Sequence, residues 1–146
     1  MVRYKVLFIP ITTLVLFVPA FLSAQMTWTQ ATQAAGWPRR YLHTAEVFDG
    51  KMWVMGGDAI GGVRNDVWYS TNGVDWTRAI DSAGWSIRLG HSSVVFDNKI
   101  WVIGGLLNGS YKNDVWYSTD GDSWICATPS AAWSPRTKHT SVVFNN

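Results

Sequence analysis

The seven residues Asn-Asp-Val-Trp-Tyr-Ser-Thr at positions 65–71 return unchanged at positions 113–119. Extending the comparison in both directions at the same offset of 48 residues pairs residues 37–84 with residues 85–132 without a gap, and 24 of the 48 positions are identical. Residues 133–146 begin the block a third time. A period of about 40 to 50 residues predicts a repeat architecture in which each block is one structural unit.

All 10 tryptophans obey this offset. They fall into four columns of the comparison, at positions 28, 76 and 124; 37, 85 and 133; 53 and 101; and 68 and 116. Because a buried aromatic ring removes a large apolar area from water, tryptophans that repeat with the block are expected to pack inside it. We therefore assign them to structure rather than to a binding site.

Each block carries the signals of short strands separated by tight turns. Asp49-Gly50 and Asn72-Gly73 are turn dipeptides, because Asn, Asp and Gly accept a positive φ. Gly56-Gly57 is expected to end the second strand. The strands predicted in the first block are 44–48, 51–55, 66–70 and 75–78. Four short antiparallel strands in each repeat favour an all-β fold, a β-propeller of four-stranded blades of which about two and a half are present.

The ordered residues of the block resemble the kelch repeat. Arg40 and His43 precede the first strand, a glycine pair follows the second, and Tyr69 and Trp76 come later. The resemblance covers residues 28–146 and implies a kelch-like propeller of the secreted, galactose-oxidase-like kind. It implies structural roles for the repeating Gly56, Gly57, Gly104, Gly105, Trp76, Trp124, His43, His91 and His139.

The sequence also predicts how the chain divides into segments. Residues 1–24 combine a charged start, an apolar middle and a small residue before Gln25, which is typical of a cleaved signal peptide and predicts a secreted, periplasmic or extracellular protein. The alternative for this segment is an uncleaved membrane anchor. Residues 25–36 align with a fourth strand and are expected to close the ring with strands from a far C-terminus. Residues 37–84 and 85–132 are predicted blades, and residues 133–146 the truncated start of another.

Charge and cysteine content limit the possible partners. From Gln25 onward there are 10 Lys or Arg and 10 Asp or Glu, so the net charge is zero. The charge therefore gives no reason to expect nucleic acid as a partner. The chain is expected to contact a membrane only through residues 1–24, during export. Cys126 is the single cysteine and has Arg78 at its position in the other block, so the repeat does not require it. Either a small apolar role or a reactive thiol remains open for it.

Loops are where a propeller carries its variable residues. Residues 58–64 and 106–112, between the second and third strands, share only one glycine. We take as candidate binding residues Asp58, Arg64, Asn108, Tyr111 and Lys112.

Metal and cofactor chemistry find little support in the residues. His43, His91 and His139 lie on successive blades, and sheets pack about 10 Å apart, too far for a shared metal. No metal site and no cofactor is therefore predicted.

The expected function is that of a binding module for a protein or glycan. The alternative is the propeller part of an enzyme, galactose-oxidase-like or a glycan hydrolase, whose active residues lie outside this segment. No residue of the copper site of galactose oxidase can be carried over to this chain.

Overall fold

The computed structural model describes residues 27–144, which form nine strands and no helix. The strands are β1 (Arg40–Tyr41), β2 (Thr44–Phe48), β3 (Lys51–Ala59), β4 (Gly62–Ser70), β5 (Thr77–Ile80), β6 (Ser92–Phe96), β7 (Lys99–Leu107), β8 (Ser110–Ser118) and β9 (Ile125–Thr128). Within this range no helix is long and apolar enough to cross a membrane. The predicted signal peptide, residues 1–24, lies outside the described residues.

The strands form two antiparallel sheets, one in each repeat block. In the first sheet the order is β1-β3-β4-β5, and β2 pairs with β3 beside β1. In the second sheet the order is β6-β7-β8-β9. Each sheet is thus an up-and-down set of four main strands, which confirms the all-β class and the kelch-like blade.

The glycine pair does not end the second strand, so that expectation was wrong. β3 continues through Gly56 and Gly57 to Ala59, with a register shift between Met55 and Gly57. Both glycines have positive φ, 56° and 92°, so the chain makes a bulge and then resumes pairing. β7 repeats the bulge between Ile103 and Gly105.

Two further segments align with strands but do not form them. Residues 27–36 contain no strand, and Trp28 is 96% exposed. Residues 140–144 align with β6 and also lack strand pairing. A strand persists only where a neighbour satisfies its backbone groups, and no such neighbour lies within residues 27–144. Ring closure by residues 25–36 therefore stays a prediction.

The core lies between the two sheets and is built by the repeating residues. Trp53 and Met55 from β3 meet Trp85, Ile100 and Val102 of the second block, and all are buried. The two blocks contribute different columns of the comparison, because Ile100 and Val102 stand at the positions of Met52 and Val54, so opposite faces of the repeated sheet meet in this core.

Two pairs of tryptophans also pack together, one pair in each block. The rings of Trp37 and Trp76 meet edge to face at 5.7 Å between centroids, and those of Trp85 and Trp124 at 5.8 Å. Edge-to-face packing is a favoured aromatic arrangement. The structural role predicted for Trp76 and Trp124 agrees with these contacts.

Candidate binding face

A buried ion pair fixes the entry into each blade. Arg40 donates from Nη1 and Nη2 to the two carboxylate oxygens of Asp66, at 2.7 and 2.9 Å, and from Nη1 to the carbonyl of Gly56 at 2.9 Å. Arg88 repeats the arrangement with Asp114 at 2.8 and 2.7 Å. Both guanidinium groups are fully buried, so the pair is a fixed part of the scaffold.

Sequence reasoning missed the acidic partners of these arginines. Asp66 and Asp114 lie in the seven-residue segment that returns unchanged, 26 residues after Arg40 and Arg88. Burial alone would raise the pKa of each carboxyl, but hydrogen bonds from the arginine and from a tryptophan outweigh it and lower the pKa. The signal that could have found them is an arginine and an aspartate that both repeat at the same offset.

His91 and His139 lie where one repeat block meets the next. His91 Nε2 is hydrogen-bonded to Thr44 Oγ1 of the preceding blade at 3.0 Å, and His139 Nε2 to Ser92 Oγ at 2.8 Å. Burial lowers the pKa of His91 to about 3, and the charge of Arg88 adds to that effect. The imidazole is therefore neutral at ordinary pH and serves as a link between blades.

The glycine pair makes room for these histidines. A Cβ at Gly57 would lie 2.7 Å from His43 Cβ, and a Cβ at Gly105 would lie 3.0 Å from His91 Cβ. No larger residue fits there without displacing the backbone. Gly56 and Gly104 approach the histidine of the following block in the same way, at 3.1 and 3.0 Å from Cε1.

The predicted loop between the second and third strands is only a two-residue turn. Asp58 lies on β3, Arg64 on β4, and both Tyr111 and Lys112 on β8, because β3 and β4 pair almost to their tips. Only Asn108 lies in a turn, with a φ of 47°. The expectation that all five residues lie on loops was wrong, since glycine bulges let the strands extend past the glycine pairs.

These residues nevertheless lie toward one edge of the molecule, which we call the turn edge. It consists of the turns at 60–61 and 108–109, the adjoining strand ends 58–59, 62–64, 106–107 and 110–112, and the arms 39–42 and 87–90 that lead into the blades. The second arm is held against the first blade, because Arg88 N donates to Arg64 O at 3.1 Å and Gly90 N to Leu42 O at 2.9 Å. The arms therefore hold the two turns in fixed positions.

On the first blade the turn edge is polar and aromatic. Tyr41 Oη donates to Asp58 Oδ2 at 2.6 Å, and this bond together with the charge of Asp58 raises the pKa of Tyr41. A shallow hollow of about 460 Å³ is lined there by Arg39, Tyr41, Asp58 and Ile60, among others. Tyr41 and Ile60 are 61% and 64% exposed.

On the second blade the same positions carry a different chemistry. Leu89 pairs with Leu106 where the first blade has Tyr41 and Asp58. Tyr111 stands 55% exposed beside them, at the position that Val63 occupies in the first blade. The two blades thus present unlike surfaces on the same backbone.

Arg64 and Lys112 hold equivalent positions but differ in surroundings. Arg64 Nη2 donates to Ile60 O at 3.4 Å, and its Nε is buried without a partner among residues 27–144. Arg64 also lines a groove of about 430 Å³ on the side of the first blade, with Trp68 and Arg78 among its walls. The backbone contact is the same in both blocks, because Arg88 N donates to Arg64 O at 3.1 Å and Arg136 N to Lys112 O at 2.9 Å.

No three His, Cys, Asp or Glu side chains within residues 27–144 come close enough together to hold a metal ion. The chemistry that the turn edge offers is recognition: exposed aromatic rings, one carboxylate, three cations and aliphatic side chains on a rigid scaffold.

Comparison with known families identifies the family of the repeated blocks. Residues 16–146 match the family model described as the KLHDC2/KLHL20/DRC7 Kelch-repeats domain. No curated protein matches the chain. Since the match covers most of the 146 residues, the chain belongs to the kelch-repeat family.

Proposed function

We propose that this protein is an exported kelch-repeat module that binds a protein partner through the turn edge. Kelch repeats generally mediate interactions between proteins. The observation that carries the proposal is the contrast between frame and edge: the Arg–Asp pairs, histidines and tryptophans repeat, whereas six of the seven positions in 58–64 differ from those in 106–112. Exposed residues free of the packing pattern are where a repeat protein can encode a partner.

The composition of the turn edge supports a protein as the partner. Tyr41 and Tyr111 offer exposed aromatic rings, which are enriched at protein interfaces. Asp58 and Lys112 supply opposite charges about the apolar Leu89 and Leu106. A glycan could use the same aromatic rings, so a glycan is the competing outcome of the test.

The binding test uses photocrosslinking from defined positions of the chain in the cells that produce it. A photoreactive phenylalanine at Tyr111 is expected to capture one partner, which mass spectrometry identifies, and Asp58→Lys is expected to reduce the capture. The control position is Val74, which is exposed in the loop between β4 and β5. Equal capture from Tyr111 and Val74, or binding to a glycan array that Asp58→Lys abolishes, would contradict a protein partner at the turn edge.

Export rests on the first 24 residues of the sequence. The expected mature protein begins at Gln25. N-terminal sequencing of protein recovered from outside the cytoplasm tests this directly. An intact Met1 on protein from the cytoplasmic fraction would show that the leader is not removed there and that the localisation is wrong.

A further inference from the structure

The outer edge of the second sheet is formed by β9, which pairs on one side with β8. Within residues 27–144 no backbone hydrogen bond reaches the other side of β9. The outward N–H and C=O groups of such an edge can pair with a strand from another chain. The first sheet ends in the same way at β5, which makes the two edges a natural comparison.

The two edges differ in the side chains that they carry. Arg78 on β5 donates to Asp81 at 2.6 Å and lies over the ring of Trp68, 5.5 Å from its centroid. The second block has Cys126 in place of Arg78 and Pro129 in place of Asp81. Charged side chains along an edge strand are a common means of preventing unwanted pairing. β5 has charged side chains at its edge, whereas none of the four residues of β9 is charged and Pro129 follows it.

The second edge is also the more apolar of the two. Ile125 takes the place of Thr77 and is 54% exposed, and Cys126 beside it is exposed with a free thiol. All four residues of β9 are uncharged. Two identical copies of this edge can therefore approach each other without bringing like charges together.

We propose that β9 is a self-association surface, at which it pairs in antiparallel fashion with β9 of a second copy of the chain. A two-fold axis through the edge lets the same residues serve both sides, which is the commonest symmetry of protein dimers. The pairing gains backbone hydrogen bonds and covers Ile125 on each copy. A register shift between Val115 and Trp116 shortens the regular part of the strand, so the interface is small and the dimer is concentration-dependent. This inference does not depend on the function proposed for the turn edge.

Cys126 serves as the reporter of this pairing. Directly opposed residues of antiparallel strands have Cα atoms about 4.5 to 5.5 Å apart, which lies inside the range of about 4.4 to 6.8 Å that a disulfide spans. Oxidation by dioxygen with copper phenanthroline as catalyst removes two electrons and two protons from the two thiols, forms the S–S bond and reduces dioxygen. Because the chain has one cysteine, any crosslinked dimer joins Cys126 to Cys126.

The decisive variant is Ile125→Lys, which places a charge on each side of the paired edge. Its matched control is Thr77→Lys, an exposed residue at the same position of β5. For the unchanged chain and for Thr77→Lys we expect rapid crosslinking and a monomer–dimer equilibrium in sedimentation velocity. For Ile125→Lys we expect a dimer weakened by about tenfold or more and a matching loss of crosslinked product.

Two results would overturn the inference. One is a sedimentation profile without dimer at any concentration for the unchanged chain. The other is association in sedimentation velocity that Ile125→Lys leaves at the level of Thr77→Lys, since association through any other surface would respond to both variants alike. The sedimentation result decides, because a lysine beside Cys126 also changes the reactivity of the thiol.

Discussion

Arg88 and Asp114 form a bidentate ion pair at 2.8 and 2.7 Å in which the guanidinium has no solvent exposure. The arginine enters from the arm before β6 and the aspartate from β8, so the pair ties the start of the second blade to its third main strand. Arg40 and Asp66 do the same in the first blade. Removal of either partner therefore leaves a buried charge unpaired.

Asp114→Ala is expected to lower the free energy of unfolding by about 3 to 5 kcal/mol, because it leaves the buried charge of Arg88 without a partner. Urea denaturation measures this loss. Arg78→Ala, which removes the exposed pair with Asp81, is the control and should cost no more than about 1 kcal/mol. Similar costs for the two variants would show that Arg88 finds another partner or reaches water when Asp114 is removed.

Gly121→Ala is expected to be more destabilising than Gly73→Ala at the equivalent position. Both glycines have a positive φ, 80° and 74°, so the backbone strain is common to the two variants. A Cβ at Gly121 would lie 2.2 Å from the buried ring of Trp53 in the neighbouring blade, whereas one at Gly73 meets only Met52 Cε at 3.3 Å.

The difference between these two glycine variants in thermal or urea unfolding should be about 1 to 3 kcal/mol, the usual cost of overpacking. Equal losses would mean that Trp53 moves aside and that the contact between the blades is not fixed.

The free energy of unfolding is expected to fall as the pH falls from about 6.5 toward 3. Burial lowers the pKa of His91 from 6.5 to about 3, so over this range the unfolded chain binds a proton at His91 and the folded chain does not. Protonation therefore favours the unfolded state as the pH falls. His43 and His139 also have lowered pKa values and act in the same direction. Asp66 and Asp114 have lowered pKa values too, and their contribution is lost only at pH values below about 4.

His91→Gln tests this assignment, because glutamine can keep a hydrogen bond to Thr44 but does not titrate. Chemical denaturation at a series of pH values should give a shallower slope between pH 4 and about 6.5 for this variant. An unchanged slope would assign the acid sensitivity to other groups.

Asn65→Ala is expected to cost more stability than Asn113→Ala. Asn65 Nδ2 donates to the carbonyls of Ala83 and Trp85 at 3.0 and 2.8 Å, and thereby holds the connection between the blades to β4. Asn113 makes the equivalent bonds to Ala131 and Trp133 at 2.9 and 3.3 Å, but it is less buried.

Leaving buried carbonyls unpaired should cost about 1 to 3 kcal/mol for the first asparagine variant. The second variant should cost less, because water can replace the lost donor. Urea denaturation of the two variants compares them, and a larger loss for Asn113→Ala would contradict the burial argument.

The repeat correctly predicted the structural residues of each block but not where the second strand of each block ends. The offset of 48 residues identified the histidines, the tryptophans and the glycine pairs, and the four short strands expected in each repeat predicted the all-β class. It failed at Gly56 and Gly57, since a glycine pair is compatible with either a strand end or a bulge, and only the pairing partner decides. The same error turned Asp58 and Tyr111 into loop residues.

The candidate site was found only in part. Variation between the blocks pointed to Asp58 and Tyr111, but not to Tyr41, which lies 17 residues before Asp58 and meets it only when β1 pairs with β3. Ile87 and Leu89 were overlooked for the same reason. Contacts between residues far apart in the chain depend on strand register, which composition and periodicity do not specify.

By itself the sequence determined that two full blocks repeat, that each block is a short set of antiparallel strands, and that the tryptophans within the two blocks pack, whereas Trp28 before them is exposed. These properties follow from local residue patterns and from the repetition itself. Only the tertiary structure decided that Arg88 pairs with Asp114, that the glycine bulges extend β3 and β7 to the turn edge, and that β9 ends the second sheet as an uncharged edge. The physical reason is that ion pairs, bulges and edges are defined by neighbours in space, which form when the sheets assemble.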